Sequence, residues 1–200
     1  MEFRRHNVAL APLTSEDREQ FISDNQEAFL YGATEEFGVR DEHFEENGQI
    51  ISRKTIEASI DGEHAKAYRI LLDGEKVGGL VISIDPKTCR GELELFFVSP
   101  HIHSKGIGQA AWRTVEELHP DVCVWELVTP YFETRNIHFY VNKLGFHIVE
   151  FFNSHHPDPN EPEEYDEGHE TGDGYDGMFR FEKIVGSRPG PDSRRASSIL

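Results

Sequence analysis

The sequence predicts an α/β (α+β) domain in which about seven strands form one central sheet flanked by helices. Three observations point there. Seven short runs carry strand patterning and are separated by turn signals; the apolar period changes to helical after Gly106 and again after residue 133; and three of the strands follow one another with no room for helices between them. At 200 residues the chain is long enough to bury a core without metal or disulfide staples.

Residues 6–13 read as an opening strand, and Thr14-Ser15-Glu16-Asp17 supplies a helix-start signal ahead of Phe21, Ile22, Ala28, Phe29 and Leu30. Residues 31–48 mix glycine, aromatic and acidic side chains without a period, as a segment flanking a substrate site would. Residues 52–60 read as a short helix closed by Asp61-Gly62. The runs 67–72, 77–84 and 92–98 are strands, the first two joined by Asp73-Gly74, a hairpin signal, so an antiparallel meander is expected. From Gly106, the residues Ile107, Ala110, Ala111, Val115 and Leu118 share one helical face, and Pro120 closes the segment. A continuous apolar run, 122–128, suits a sheet interior. A second amphipathic helix, 134–144, ends at Gly145, and strands at 146–152 and 177–185 complete the count. Residues 1–185 thus read as one domain, with an acidic loop at 155–177 inside it and a disordered tail at 186–200. The Arg194-Arg195-Ala196-Ser197 run has the form of a kinase site, but such matches arise easily in a terminus of this composition.

Composition excludes several functions. A formal net charge of −17 argues against a nucleic-acid partner, whose phosphates need clustered Lys and Arg. Nine Asp and Glu residues with no Lys or Arg fall between His155 and Gly177, a distribution that would steer a cationic small molecule. No apolar run approaches about 18 residues, and the N-terminus is charged, which predicts a soluble cytoplasmic protein without a membrane partner. Cys89 and Cys123 have no metal-ligand spacing and read as structural thiols. His155, His156 and His169 lie among carboxylates but in no recognised ligand pattern, so no metal is expected.

Gly106 and Gly108 sit where a strand has ended and a helix begins. Without side chains there, a diphosphate could approach the N–H groups at the helix's positive end; two glycines would equally serve a tight turn. A Walker loop is excluded because Lys105 precedes the glycine. A dinucleotide fingerprint fits Gly106, Gly108 and Ala111, with Glu126 twenty residues beyond Gly106. That fold, however, needs the turn to abut its strand and the acidic residue to lie at a strand's C-terminal end, and residues 99–105 intervene.

The run from Leu95 through Val98, Pro100, His103, Ser104, Lys105, Gly106, Ile107 and Gly108 resembles the acetyl-CoA motif of the GNAT superfamily of N-acetyltransferases, with His103 at the usual Arg/Gln position and Ser104 in place of a frequent glycine. Asn136-Ile137-His138-Phe139-Tyr140-Val141-Asn142-Lys143-Leu144-Gly145-Phe146 is similar to that family's late helix, with Tyr140 one residue farther from Gly145-Phe146 than in the commonest form. The resemblance implies a mixed sheet whose meander is followed by splayed parallel strands, 92–98 and 122–128. It also implies a donor, acetyl-CoA, lying between them, its pantetheine pairing with main chain at Phe97 and Val98.

By the same resemblance, N–H groups of His103, Ser104, Lys105, Gly106, Ile107, Gly108, Gln109 and Ala110 would hold the diphosphate; Asn136 and Lys143 count with the donor contacts. Lys105 would add charge or be an ordinary exposed lysine, and Asn136 would contact pantetheine or cap its helix. The chemistry would be direct attack of a primary amine, on a small molecule or a protein, upon the thioester, with no metal. Tyr140 is the candidate acid, or else a core tyrosine. Glu92 and Glu94 share a strand face, with Glu92 at the offset of the glutamate base in histone-type members; as alternatives, both are surface residues and waters carry the proton. His101 and His103 belong to the donor loop and are weaker candidates. A non-catalytic acyl-CoA-binding module remains the other reading, and monomer and homodimer are both open.

Overall fold

The computed structural model describes residues 7–34, 48–102, 106–159 and 177–186. Seven strands form one mixed sheet: β1 (Val8–Pro12), β2 (Ala65–Leu72), β3 (Glu75–Asp85), β4 (Arg90–Val98), β5 (Val124–Pro130), β6 (His147–Phe152) and β7 (Met178–Ile184), in the order β1-β2-β3-β4-β5-β7-β6. The expected meander is there: β2 to β4 pair antiparallel in succession, Asp73-Gly74 forms the β2–β3 turn with φ of 52° and 92°, and β1 extends the meander by pairing antiparallel with β2. β4 and β5 are the parallel pair, connected through α3 (Ile107–Leu118), and β7 inserts antiparallel between β5 and the edge strand β6. This order also removes the dinucleotide reading, which needs a doubly wound parallel sheet.

Apolar side chains divide between the two faces. On one face α3 and the segment after β5 bury Trp112, Trp125, Phe146 and Phe181, with the two tryptophan rings edge-to-face at 5.1 Å. On the other, α1 (Arg18–Thr34) and α2 (Arg53–Asp61) cover Val81, Leu95 and Phe97, and Phe21 meets Phe97 edge-on at 5.2 Å. Each such fully buried aromatic is worth about 1.5–3 kcal/mol. α2 starts on the residue the sequence indicates, since Ser52 Oγ accepts the Thr55 N–H at 2.9 Å.

α1 is tied to the sheet by charge. Arg69 of β2, 2% exposed, donates to Asp17 at 2.6 Å and to Asp24 at 2.7 Å, and its guanidinium lies 5.1 Å from the centre of the Phe21 ring.

The second predicted helix requires a correction. Only Thr134–His138 is α-helical (α4); Phe139–Leu144 is π-helical and ends at Gly145. A one-residue insertion into a helix is accommodated by i→i+5 bonding. The residue by which Tyr140 stands farther from Gly145-Phe146 than in the resembled motif falls inside this π-helical stretch. No described helix is long and apolar enough to cross a membrane.

Candidate active site

β4 and β5 pair at only three positions: Arg90↔Val124, Gly91↔Trp125 and Glu92↔Glu126. Beyond them β4 stays bonded to β3 as far as Val98, and β5 to β7 as far as Pro130, but the two strands part from each other. A wedge therefore opens in the middle of the sheet, and the main-chain groups on its walls, Phe97 and Val98 among them, have no strand opposite. A bulge accompanies the parting. Val81 faces Leu95 while Ile82 faces Leu93, so Glu94 is an extra residue. Its effect is visible in the packing: Leu93 joins the core under α3, whereas Leu95 and Phe97 join the core under α1.

At the wide end of the wedge stands the N-terminus of α3. Gly106 is its N-cap, with φ +69°, a conformation that disfavours any side chain, and the space around its Cα is open. Ile107 is buried at 3%, and the Ala110 N–H turns back to Gly106 O at 2.9 Å, leaving the N–H groups of the first turn without a helical partner. Gly108 has a packing reason of its own. A Cβ there would lie 2.9 Å from the Phe139 ring and 3.3 Å from Phe96, whose rings pack together at 5.8 Å. His103, Ser104 and Lys105 lie outside the described residues. Gln109 Nε2 donates to Lys143 O at 3.0 Å, which brings these two predicted donor contacts together at one edge of α3. His101 is exposed and faces Glu27 at 3.3 Å.

Tyr140 stands on the α3 side of the sheet at the start of the π-helical turn, its ring among Phe139, Phe146 and Phe181 at 5.6–6.2 Å. Burial, and secondarily the charge of Glu133, pushes its hydroxyl well above the usual tyrosine range. Asn136 is half-buried within α4; the N-cap is Glu133, so the alternative of Asn136 as a cap is set aside.

Glu92 and Glu94 project from the opposite face, beside the narrow end of the wedge. Solvent reaches both, yet protein atoms crowd them from the sides. Desolvation from that crowding, then the like charges of Glu94, Glu126 and Asp158, push the Glu92 carboxyl up to about 7. Glu94 is raised by the same desolvation, partly offset by a hydrogen bond with Ser83. Neither carries a salt bridge to a cation among the described residues, although their neighbours do. Arg90 is taken by Glu126 and Glu182, and Arg180 by Glu126, Glu182 and Glu150.

Arg90, Arg180, Glu150 and Glu182 escaped the sequence reading, and Glu126 entered it only as the acidic residue of a dinucleotide fingerprint. The i, i+2 alternation of Arg180 and Glu182 indicated a polar face on β7; which strand it adjoins was not readable. His156 is held by Glu150 at 2.8 Å and stacks on Phe152, and His169 lies outside the described residues.

The fold has counterparts among known proteins. The acetyltransferase (GNAT) family model matches residues 18–146. The uncharacterized protein YrkN of Bacillus subtilis is 44% identical over 178 residues, spanning 89% of this chain and 94% of that one. In fold, the chain is similar to the ribosomal-protein-S18-alanine N-acetyltransferase of Escherichia coli, with a TM-score of 0.63 at 14% identity over 92% of this chain and 98% of the other. It is similar too to the PaiA N-acetyltransferase of Thermoplasma acidophilum in complex with coenzyme A, with a TM-score of 0.56 at 17% identity over 90% and 99%. Because the family model spans more than half of the chain, the chain belongs to the GNAT acetyltransferase family.

Proposed function

We propose that this protein is an N-acetyltransferase that moves the acetyl group of acetyl-CoA to a primary amine by direct attack. The observation that carries the reading is the β4–β5 wedge with the N-terminus of α3 at its open end. Unpaired strand edges can accept the amide groups of a pantetheine arm as a further strand would, through main chain at Phe97 and Val98. First-turn N–H groups and the helix dipole favour a diphosphate at Gly106–Ala110, with His103, Ser104, Lys105, Gln109, Asn136 and Lys143 as accompanying donor contacts.

The thioester would then lie between two titratable groups on opposite faces of the sheet. Glu92, with a carboxyl that exchanges its proton near pH 7, takes the proton from an ammonium acceptor, and Glu94 extends the same acidic wall. Tyr140, whose hydroxyl holds its proton far above neutrality, donates to the departing thiolate. The bond formed is N–C and the bond broken is C–S; of the two protons that the ammonium gives up, Glu92 passes one to solvent and the other makes good the proton that Tyr140 gives to sulfur, so no metal or redox partner is needed for balance. The carboxylates favour a cationic acceptor, on a small molecule or an exposed protein amine.

Calorimetric titration of coenzyme A, followed by thiol release across a panel of primary amines, tests the whole reading. Binding with turnover supports it; binding without turnover leaves a non-catalytic acyl-CoA module; no binding sinks both. Tyr140→Phe separates the roles. We expect kcat to fall about 10²-fold with acetyl-CoA affinity little changed, and an unaltered kcat removes Tyr140 from the acid role.

A further inference from the structure

Three glutamates stand in register across three strands. Glu92 of β4 faces Glu126 of β5, and Glu126 faces Glu182 of β7, so all three project from the same side of the sheet. Like charges placed directly opposite one another repel. Two arginines lie one step out of that register, Arg90 two residues before Glu92 and Arg180 two residues before Glu182. Arg90 grips both oxygens of Glu126, at 2.8 and 2.6 Å, and also binds Glu182. Arg180 reaches Glu126 at 2.7 Å, Glu182 at 2.9 Å and Glu150 of β6 at 2.9 Å. The compensation is one-sided. Both guanidinium groups serve the second and third glutamates and the Glu150 beyond, and neither hydrogen-bonds to the first.

Arg90 is the informative member. It shares a strand and a face with Glu92 and could turn to it, yet its side chain is committed to β5 and β7. The charged groups that bear on Glu92 are Glu94 from its own strand, Glu126 from β5 and Asp158 from the segment after β6, all acidic; Ser83, opposite on β3, is uncharged. We infer that Arg90 and Arg180, held by Glu126, Glu182 and Glu150, are positioning residues for the acetyl transfer, keeping positive charge off Glu92 so that its carboxyl stays unneutralised at the narrow end of the wedge. The inference rests on the reading of Glu92 as the base given above.

If this cluster acts on Glu92 only by fastening β5, β7 and β6 together, a break in it should lower stability and disturb Glu92 in one direction, whichever member is lost. If it positions charge, two conservative variants must act with opposite sign. Glu126→Gln removes a repelling carboxylate and frees Arg90 from two hydrogen bonds, so Glu92 should lose its proton at lower pH. Arg90→Gln removes the cation and leaves the glutamates less compensated, so Glu92 should lose its proton at higher pH.

The experiment uses the full chain with two readouts: the acid limb of kcat/KM for the best amine of the panel, and carboxyl NMR of carbon-13-labelled glutamate, with Glu92 assigned by its loss in Glu92→Gln. We expect shifts of about half a pH unit or more, downward for Glu126→Gln and upward for Arg90→Gln. Glu182→Gln, with a smaller downward shift, stands in if Glu126→Gln fails to fold. Shifts of the same sign, or no shift of the Glu92 resonance in any variant, overturn the inference. If the resonance moves as expected while the kinetic limb stays put, the charge arrangement stands and the base assignment falls.

Discussion

Two carboxylate pairs border the same face of this sheet and differ in one respect, the presence of a cation. Asp17 and Asp24 close on Arg69, which is buried, doubly bonded and stacked on Phe21. Glu92 and Glu94 lie on β4 beside the wedge with no such partner, because the nearby arginines are committed elsewhere. The consequences run in opposite directions. The Arg69 guanidinium, with Lys76 assisting, holds the Asp17 carboxyl below the usual range, so this group is a permanent anion and its role is mechanical. Crowding without compensation pushes Glu92 up to about 7, so that group can exchange a proton under ordinary conditions. Compensation makes a joint, and its absence makes a reactive group.

The largest effect should come from breaking the joint. Arg69→Met preserves the length of the side chain but leaves two carboxylates at a nearly closed site, and removing one partner of a buried pair costs about 3–5 kcal/mol. Urea unfolding should report that loss with little change in slope. A loss under 1 kcal/mol would mean that water already reaches Asp17 and Asp24 freely, and the contrast between the two pairs would shrink to one of degree.

Next comes the reactive pair. Glu92→Gln keeps the shape of the side chain and removes the proton acceptor, so kcat/KM near neutral pH should drop about 10²-fold while the unfolding midpoint is held or raised. Glu94→Gln should cost less, since Ser83 already offsets part of its desolvation. If Glu92→Gln acts as a destabilising change with normal kcat, Glu92 belongs with Asp17 as structure.

The two regions also differ in how far they could be read beforehand. All seven strands, the Asp73-Gly74 hairpin, the short helix over 52–60 and the helix after Gly106 are encoded in neighbouring residues, through period and turn chemistry, and each lies within a few residues of its expected place. The pairing of Glu92 with Glu94 on one face follows from strand alternation. What could not be read is what adjoins them. That Arg90 reaches Glu126 depends on the register between strands 36 residues apart, and that Glu182 completes the row depends on β7 inserting between β5 and β6. The bulge at Glu94 was equally silent, because an extra residue in a ladder shows only against its partner strand. The π-helical turn falls where the sequence carries one residue more between Tyr140 and Gly145-Phe146 than the resembled motif has.

Asn25 sharpens the comparison from a third side. It lies on α1, is 0% exposed, and neither Nδ2 nor Oδ1 has a hydrogen-bond partner among the described residues. It is thus a polar group with neither the cation of Asp17 nor the open wedge of Glu92. Asn25→Leu keeps the branching of the side chain, removes the desolvation penalty of the amide and should stabilise the fold by about 1–2 kcal/mol. A lower midpoint in thermal melting would instead indicate that a buried water completes the amide's bonding.

The smallest effect is in the pH dependence of stability, where the two pairs should pull oppositely. Asp17 has a folded-state pKa below its unfolded value, so its contribution is complete above the ordinary carboxyl range of about 3.9 and is lost as pH falls through the lowered folded value. Glu92 has a folded-state pKa raised to about 7 from an unfolded value of about 4.3. Between those values the folded protein binds more protons than the unfolded chain, so stability declines as pH rises across that window. Solvent access to Glu92 screens the decline, which makes its sign more telling than its size. Urea midpoints taken from pH 4 to 8 in the wild type and in Glu92→Gln isolate it: the variant should be flatter between about pH 4.3 and 7 and unchanged below. Parallel curves would mean that Glu92 titrates like an ordinary surface carboxyl, and the difference between the two pairs would then be one of location alone.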